Sequence, residues 1–406
     1  MKNTFLIVGR SFSSLVKSIE DRGDDWILLK DSNINKASRP NQINVDFSNT
    51  EKLNAEVQKL KSEVDGVIAI YENYIVVASE IAEMLGLPAQ PLESARACTD
   101  KELMRTKFLT SKTPISPDFK NISNIDEALL FAEKYGYPLI LKPANLAKSL
   151  LVLKCSNQHE LKTNYRSMTN QINKVYEKHA PRQQPKIIIE EFMEGSIHSV
   201  DGFIDSQGKP TILPEIVDYQ TGYDIGYDDN FHYSRILPTN LNQEQQASVI
   251  QTAKLGCNAL GMKNSAAHIE IIMTKKGPRI VEIGARNGGY RERMHKLAND
   301  IDLLDIQLDI KLGKSPNINV LSHSPVAVLE LFPKKAGIFS GIDHEKEVHN
   351  LSSLIYFKTK QKLGDYVGKA GDGYKMCAII ILHNPDPKQF KKDLDFVNKK
   401  VKVITK

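Results

Sequence analysis

The stretch that decides the fold is AAHIEIIMTKKGPRIVEIGARNGG, residues 266–289. Its first part alternates with a period of two, which places His268 and Glu270 on one face of a strand and uniformly apolar side chains on the other. The segment KKGP then reverses the chain. A turn centred near Lys276 would place Glu270 directly opposite Glu282. The sequence therefore predicts a hairpin with two facing carboxylates.

Two carboxylates that face each other across an antiparallel pair repel, so a shared proton or a bound cation must offset the repulsion. Oxygen ligands from so few side chains suit Mg²⁺, which keeps waters and takes further ligands from phosphates. The alternative is a solvated sheet face with two independent glutamates. The facing register, followed directly by Arg286-Asn287-Gly288-Gly289, favours the metal site.

Composition narrows the class of protein. The chain has 406 residues, of which 41% are hydrophobic and 25% charged, with a net charge of +5, as in an ordinary enzyme of two or three domains. Its four cysteines lie far apart without metal-ligand spacing, which favours a reducing cytoplasm. The N-terminal MKNTFLIVGRS is typical of a first strand, and no apolar run approaches the length of a membrane span. We therefore expect a cytoplasmic enzyme with neither a nucleic acid nor a membrane as partner.

Three segments are predicted along the chain. Residues 1–98 alternate strand and helix, which indicates an open parallel α/β domain, and Gly9 alone does not make a dinucleotide-binding loop. Residues 99–315 begin with a helix from Asp100 to Thr110, for which Thr99 is the expected N-cap. They include a smaller lid at about 113–190. Residues 316–406 contain short strands and a final helix, so a small α+β domain is expected there.

Four blocks of the chain, taken in order, resemble the ATP-grasp superfamily. The blocks are Thr99-Asp100-Lys101 with Arg105, residues 137–143, residues 187–195 with Ser199-Val200-Asp201-Gly202, and His268-Ile269-Glu270 with residues 282–289. The flanking segments fit the biotin-carboxylase-like arrangement. The pairing of H-x-E with E-x-x-x-R-x-G-G resembles the L-amino-acid ligases of the bacilysin synthetase type. The resemblance implies an ATP-grasp fold, mixed α/β and α+β, with an N-terminal Rossmann-like domain and a small C-terminal α+β domain.

The resemblance also implies residues that bind the phosphates of ATP. Lys101 and Lys142 would contact them, because an ammonium is a compact point charge, although Lys101 could also be an exposed helix lysine. The family usually has a Gly/Ser-rich loop after Lys142, whereas residues 144–149 read ANLAKS. Lys148 and Ser149 would take over its contacts.

The nucleoside part of ATP would lie on the next block. The hinge strand would present backbone groups to adenine, and either Glu191 or Glu194 would bind the ribose. The family often has an acid where His198 stands, so part of this network differs here. The hinge strand comprises Glu190, Glu191, Phe192 and Met193.

The remaining roles concern the metal and the chemistry. Glu270 and Glu282 would hold Mg²⁺, with Mn²⁺ as a substitute, and Asn287 would be an extra ligand. Arg286 would stabilise the negative oxygens that develop during catalysis. His268 would touch the substrate or, as we favour, orient Glu270.

The implied activity is that of an ATP-dependent carboxylate–amine ligase, which forms an amide bond through an acyl phosphate and releases ADP and phosphate. Its partners would be ATP and small carboxylate and amine substrates, amino acids above all; a homodimer is left open. The alternatives are a purine-biosynthesis-type enzyme that activates bicarbonate or formate, and a nucleotide-binding regulator without turnover. The polar segment Pro214–Asp229, with His232 and Arg235 after it, is either a substrate loop or a solvated loop.

Overall fold

The computed structural model describes residues 2–32, 41–146, 150–180, 183–320 and 323–406. Its N-terminal part is a four-stranded parallel sheet in the order β3-β2-β1-β4, with one helix between β1 and β2 and another between β3 and β4. The elements are β1 (Thr4–Val8), α1 (Ser13–Asp21), β2 (Asp25–Asp31), β3 (Gln42–Val45), α2 (Thr50–Lys59), β4 (Gly66–Ile68), α3 (Ile75–Leu85) and α4 (Leu92–Ala97). The predicted β-α-β alternation is confirmed.

Gly9, at the end of the first strand, is explained by packing. It has a φ of +89°, and a Cβ there would lie 2.3 Å from the ring of Tyr74. Only glycine avoids both the strained backbone and the clash. The turn therefore brings the chain close to the short 3₁₀ segment Glu72–Tyr74, which contributes to the site described below.

A second, four-stranded sheet follows, in the order β5-β8-β6-β7, and its buried face packs against two helices. The elements are α5 (Lys101–Phe108), β5 (Phe119–Ile122), α6 (Ile125–Tyr135), β6 (Leu139–Pro143), β7 (Leu153–Cys155), α7 (Gln158–His179) and β8 (Ile187–Glu191). The expected N-cap Thr99 is wrong. Asp100 caps α5, because its carboxylate accepts from the backbone N–H of Glu102 and of Leu103.

The central part of the chain forms most of an eight-stranded sheet and the helices beside it. The elements are β9 (Gly195–Ile204), β10 (Pro210–Thr221), β11 (His232–Leu237), α8 (Gln243–Ala259), β12 (Ser265–Thr274), β13 (Gly277–Gly284), α9 (Arg291–Asn299) and α10 (Leu303–Lys311). The apolar face of β12, including Ile269 and Ile271, belongs to a core that also contains Leu6, Val67 and Ile75 of the N-terminal sheet. This shared core fixes the N-terminal domain against the hairpin.

The C-terminal segment continues the same large sheet. Its elements are β14 (Val326–Leu331), β15 (Gly337–Ile342), α11 (Glu345–His349), β16 (Leu354–Thr359), β17 (Tyr366–Val367), β18 (Ala378–His383), α12 (Pro387–Lys400) and β19 (Val403–Thr405). The order of the large sheet is β13-β12-β9-β10-β11-β14-β18-β16, and β17-β15-β19 form a separate small sheet. Within the described ranges, no helix is both long enough and apolar enough to cross a membrane.

Candidate active site

The predicted opposition of Glu270 and Glu282 is confirmed, but the turn alone does not produce it. The turn is centred between Lys275 and Lys276, and the pairs from Thr274↔Gly277 to Ile271↔Ile280 follow from it. That register would place Glu270 opposite Val281. A β-bulge at Val281 shifts the pairing by one residue and brings Glu282 opposite Glu270.

Each of the two facing carboxylates lies beside a basic side chain. Lys101 Nζ lies 2.8 Å from Glu282 Oε2, and His268 Nε2 lies 3.6 Å from Glu270 Oε1. Burial alone would raise both glutamate pKa values, but the nearby imidazole of His268 lowers that of Glu270 and the charge of Lys101 lowers that of Glu282. Both groups are therefore ionised at neutral pH, the form that a metal ion requires. Lys101 is not the exposed helix lysine of the alternative interpretation.

Arg286 is anchored by an acid that follows the N-terminal sheet. Its Nη2 lies 2.9 Å from Oε2 of Glu72, in the 3₁₀ segment directly after β4. Burial lowers the pKa of Arg286, but the charge and hydrogen bond of Glu72 and the charges of Glu282 and Glu270 raise it. The guanidinium is thus fixed beside the carboxylate pair. Glu72 was missed in the sequence, where its position just after a parallel strand was the available signal.

The loop after Arg286 packs tightly against the histidine of the hairpin. A Cβ on Gly288 would lie 2.4 Å from His268 Nδ1, whereas one on Gly289 would meet no atom within 4 Å. The side chain of Asn287 points to α10, since its Nδ2 donates to Gln307 Oε1 at 2.9 Å and to the Leu303 carbonyl at 3.3 Å. Its Oδ1 is the atom left for the predicted metal contact.

Lys142 lies in a buried ionic triad. Its Nζ is 2.6 Å from Glu190 Oε2, and Arg105 Nε is 2.9 Å from Glu190 Oε1. Arg105 also donates to the carbonyl of the bulge residue Val281 at 2.7 Å. Burial, assisted by the charges of Arg105 and Lys101, lowers the pKa of Lys142 to about 8 despite the Glu190 contact. Both side-chain oxygens of Glu190 are thus occupied by these cations rather than open to a nucleotide.

The other residues of the predicted hinge differ in their exposure and in their contacts within the protein. Glu191 accepts a hydrogen bond from the Asp118 backbone N–H at 3.1 Å, whereas Glu194 is exposed. Phe192 and Met193 lie half-buried between them, with Lys154 Nζ 4.0 Å above the ring of Phe192. Of the two acids considered for the ribose, Glu194 is therefore the more accessible to a ligand. The predicted contacts of Lys148 and Ser149 lie outside the described residues.

His198 is separated from the carboxylate pair by the sheet itself. Directly paired residues share a face, and Glu270 pairs with Ser199 while His198 pairs with the core residue Ile271. Both ring nitrogens of His198 are engaged, with Asp218 Oδ1 at 2.8 Å and Ser196 Oγ at 2.6 Å. The structure therefore does not bring His198 to Glu270.

Several residues of the expected substrate loop have structural partners. The carboxylate of Asp229 accepts from the backbone N–H of Ala370 and of Gly371, which ties the loop to the C-terminal segment. Arg235 Nη1 lies 3.3 Å from Oε2 of Glu330 on β14. A carboxylate at Arg235 would therefore meet a guanidinium that already has an acidic neighbour.

The described residues contain no group of three or more His, Cys, Asp or Glu side chains arranged to hold a metal ion. A pair of ionised carboxylates is nevertheless sufficient for Mg²⁺ that is completed by water and phosphate oxygens. The facing pair, with Lys101 and Arg286 beside it, thus combines two ionised carboxylates with two cationic side chains.

The family model of the ATP-grasp domain matches residues 135–292 of the chain. The resemblance to the ATP-grasp superfamily and the predicted fold are confirmed. The alanine–anticapsin ligase of Bacillus subtilis (strain 168) is 25% identical over 285 residues, which are 66% of this chain and 60% of that protein.

Two solved structures share the fold over their whole length. The crystal structure of an L-amino acid ligase from Bacillus licheniformis has a TM-score of 0.79 at 18% identity and covers 100% of this chain and 99% of that chain. N5-carboxyaminoimidazole ribonucleotide synthetase from Thermotoga maritima has a TM-score of 0.69 at 15% identity, with 100% of both chains covered.

Proposed function

We propose that this chain is an ATP-dependent ligase that joins the carboxylate of one amino acid to the amine of another and releases ADP and phosphate. The observation that carries the proposal is the ionised, facing pair Glu270 and Glu282, with Lys101 at 2.8 Å from the second acid, in an ATP-grasp domain. The alanine–anticapsin ligase relative and the L-amino acid ligase fold support the choice of amino acids as substrates.

The nucleotide is bound by the cations that surround the carboxylate pair. Lys101 and Lys142 contact the phosphates. Before the nucleotide binds, Lys101 is paired with Glu282 and Lys142 with Glu190. The hinge strand carries adenine, with the exposed Glu194 as the acid for the ribose. Because the contacts of Lys101 and Lys142 are ion pairs, phosphate binding exchanges one anionic partner for another rather than desolvating a free ammonium.

The reaction has two steps. A carboxylate oxygen of the first substrate attacks the γ-phosphorus, the bond to the ADP oxygen breaks, and an acyl phosphate forms. The amine of the second substrate then attacks the acyl carbon, phosphate leaves, and the amine loses a proton. Both steps concentrate negative charge on oxygen, and Arg286 is fixed by Glu72 so that its guanidinium can stabilise that charge.

The residues that would hold Mg²⁺, or Mn²⁺ in its place, are Glu270, Glu282 and Asn287 through its Oδ1. When bound, the ion supplies neutralisation of the phosphoryl oxygens. His268 acts on Glu270 through its Nε2, at 3.6 Å, and thereby orients this ligand.

An ADP-release assay with Mg²⁺ and a panel of amino acids, singly and in pairs, tests the proposal. Turnover that requires two amino acids, with a dipeptide detected by mass spectrometry, supports the ligase. Bicarbonate-dependent turnover would instead support the purine-biosynthesis-type enzyme, whose fold is shared by the Thermotoga maritima synthetase. ATP binding without turnover under any of these conditions would support the regulator and refute the ligase.

A further inference from the structure

Asp201 on β9 contacts two parts of the candidate active site, the histidine of the hairpin and the loop that follows the hairpin. It lies directly opposite His268 on β12, and its side chain is almost fully buried. Its Oδ1 accepts hydrogen bonds from His268 Nδ1 at 2.9 Å and from the backbone N–H of Gly288 at 3.2 Å. One carboxylate oxygen thus holds both the histidine beside Glu270 and the loop that follows Arg286.

The other oxygen of Asp201 faces helix α9. Oδ2 lies 3.5 Å from Arg291 Nε and 3.8 Å from His295 Nε2, and all three side chains are buried. Among the described residues, none of these three atoms has a hydrogen-bond partner. Arg291 is held from its other end by Ser199 Oγ at 2.9 Å and Tyr219 OH at 2.6 Å.

A purely structural role would be satisfied by the attraction between Asp201 and Arg291. Such a role does not explain why the well-formed hydrogen bonds go to His268 and Gly288, while the contacts with Arg291 and His295 remain long. Buried polar atoms without partners are rare and unfavourable, so their persistence here needs a reason beyond stability. That reason is geometric, because the hydrogen-bonded side of Asp201 faces the active-site loop.

We propose that Asp201 is a positioning residue, which holds the His268 ring against Glu270 and the Gly288 backbone against the hairpin, and so sets the position of Arg286 relative to the carboxylate pair. The inference rests on the proposed function for its kinetic consequence, but not for its structural one. Outer-shell partners of this kind change activity about 10- to 100-fold when they are removed.

The kinetic test compares Asp201→Ala and Asp201→Asn with Val200→Ala. Val200 is the neighbouring β9 residue, fully buried in the apolar core on the opposite face, and serves as the control for lost stability. Asp201→Ala is expected to lower kcat about 100-fold with a KM for ATP close to that of the wild type. Asp201→Asn keeps an acceptor oxygen and should recover part of this loss. Val200→Ala should lower the Tm with little effect on kcat.

A second readout is independent of catalysis. Hydrogen exchange of the peptide that contains Gly288 should be about tenfold faster in Asp201→Ala, because a charge-assisted hydrogen bond is lost, and unchanged in Val200→Ala. If Asp201→Ala does not fold, Asp201→Asn against Val200→Ala supplies both measurements, with intermediate values of kcat and exchange expected for Asp201→Asn.

Equal losses of kcat and equal exchange in the Asp201 and Val200 variants, at matched Tm, would overturn the proposal. A wild-type protein that shows no amino-acid-dependent ADP release would instead refute the ligase, and the exchange measurement alone would then decide the role of Asp201. Faster exchange at Gly288 in the Asp201 variants supports the positioning role in either case.

Discussion

Glu190→Gln is expected to destabilise the folded protein strongly. Glu190 is the only acid within ion-pair distance of the buried Lys142 and Arg105 among the described residues, and the side chains of the three are 2%, 6% and 0% exposed. Glutamine keeps one acceptor oxygen, so it can satisfy one of the two cations. Its amide nitrogen would then face the other cation, donor against donor.

The size of the effect follows from this burial. Removing one partner of a buried ion pair costs about 3 to 5 kcal/mol, because an uncompensated charge remains in the interior. For a domain of this size each kcal/mol lowers the Tm by about 2 to 4 °C, so the expected fall is about 6 to 20 °C. Some relief is available from Lys142, whose lowered pKa lets it lose its proton more readily than an ordinary lysine.

Urea unfolding followed by circular dichroism, together with thermal unfolding, measures the loss. Glu194→Gln is the matched control, because it makes the same chemical change at an exposed position four residues along the chain and should alter stability by less than about 0.5 kcal/mol. If the two variants have free energies of unfolding within about 1 kcal/mol of each other, the triad stabilises the protein less than a buried ion pair is expected to do, and the reasoning is refuted.

Four further changes test the site directly. Arg286→Ala should reduce kcat about 100- to 1,000-fold while calorimetry shows ATP binding largely intact; retained turnover would exclude its proposed role. Glu282→Gln should weaken Mg²⁺-dependent nucleotide binding, and metal titrations equal to those of the wild type would show that the facing pair is not the metal site. The buried ammonium of Lys142 has a pKa lowered to about 8, so kcat/KM for ATP should decline as the pH rises above this value and the charge is lost; a profile that stays flat to higher pH would rule out a phosphate contact by Lys142 in the free enzyme. Gly288→Ala should destabilise the protein by about 1 to 3 kcal/mol in urea, because the added Cβ has an imidazole nitrogen 2.4 Å away. Gly289→Ala, with open space at the same position, is its control, and equal stabilities would contradict the packing argument.

The fold could be predicted from the sequence wherever local periodicity and a terminal signal agreed. The helices Ile75–Leu85 and Ile125–Tyr135, for example, each combine apolar side chains at helical spacing with a glycine directly after the last residue. Short elements such as β7 and β17 lacked enough residues to show a period. Helix α9 was not predicted, because the residue before it gives no capping signal in the sequence. That residue, Tyr290, has a left-handed conformation with a φ of +64° and makes no side-chain capping hydrogen bond.

The candidate site could be predicted only where its residues lie close together in the sequence. Glu270 and Glu282 belong to one hairpin, so a turn near Lys276 was enough to predict their opposition, although the sequence did not reveal the bulge at Val281 that produces it. Glu72 and Arg286 are 214 positions apart, and only the shared core of two domains brings them within 2.9 Å. The two ion pairs of Glu190 could not be predicted from the sequence of its strand either, because Arg105 lies on a helix in a different block of the chain.

The bulge at Val281 determines how this arrangement could be transferred to another protein. If the two strands paired regularly from the two-residue turn, Glu270 would lie opposite Val281 instead of Glu282, and the Val281 carbonyl would lose the bulged geometry in which it accepts from Arg105. A hairpin with a regular ladder, grafted onto another scaffold, would therefore lose both the facing carboxylates and the hydrogen bond from Arg105 to the Val281 carbonyl. A transfer of this arrangement to another protein therefore has to include both the bulged hairpin and helix α5. A design that makes the two strands regular would remove the bulge on which the arrangement depends.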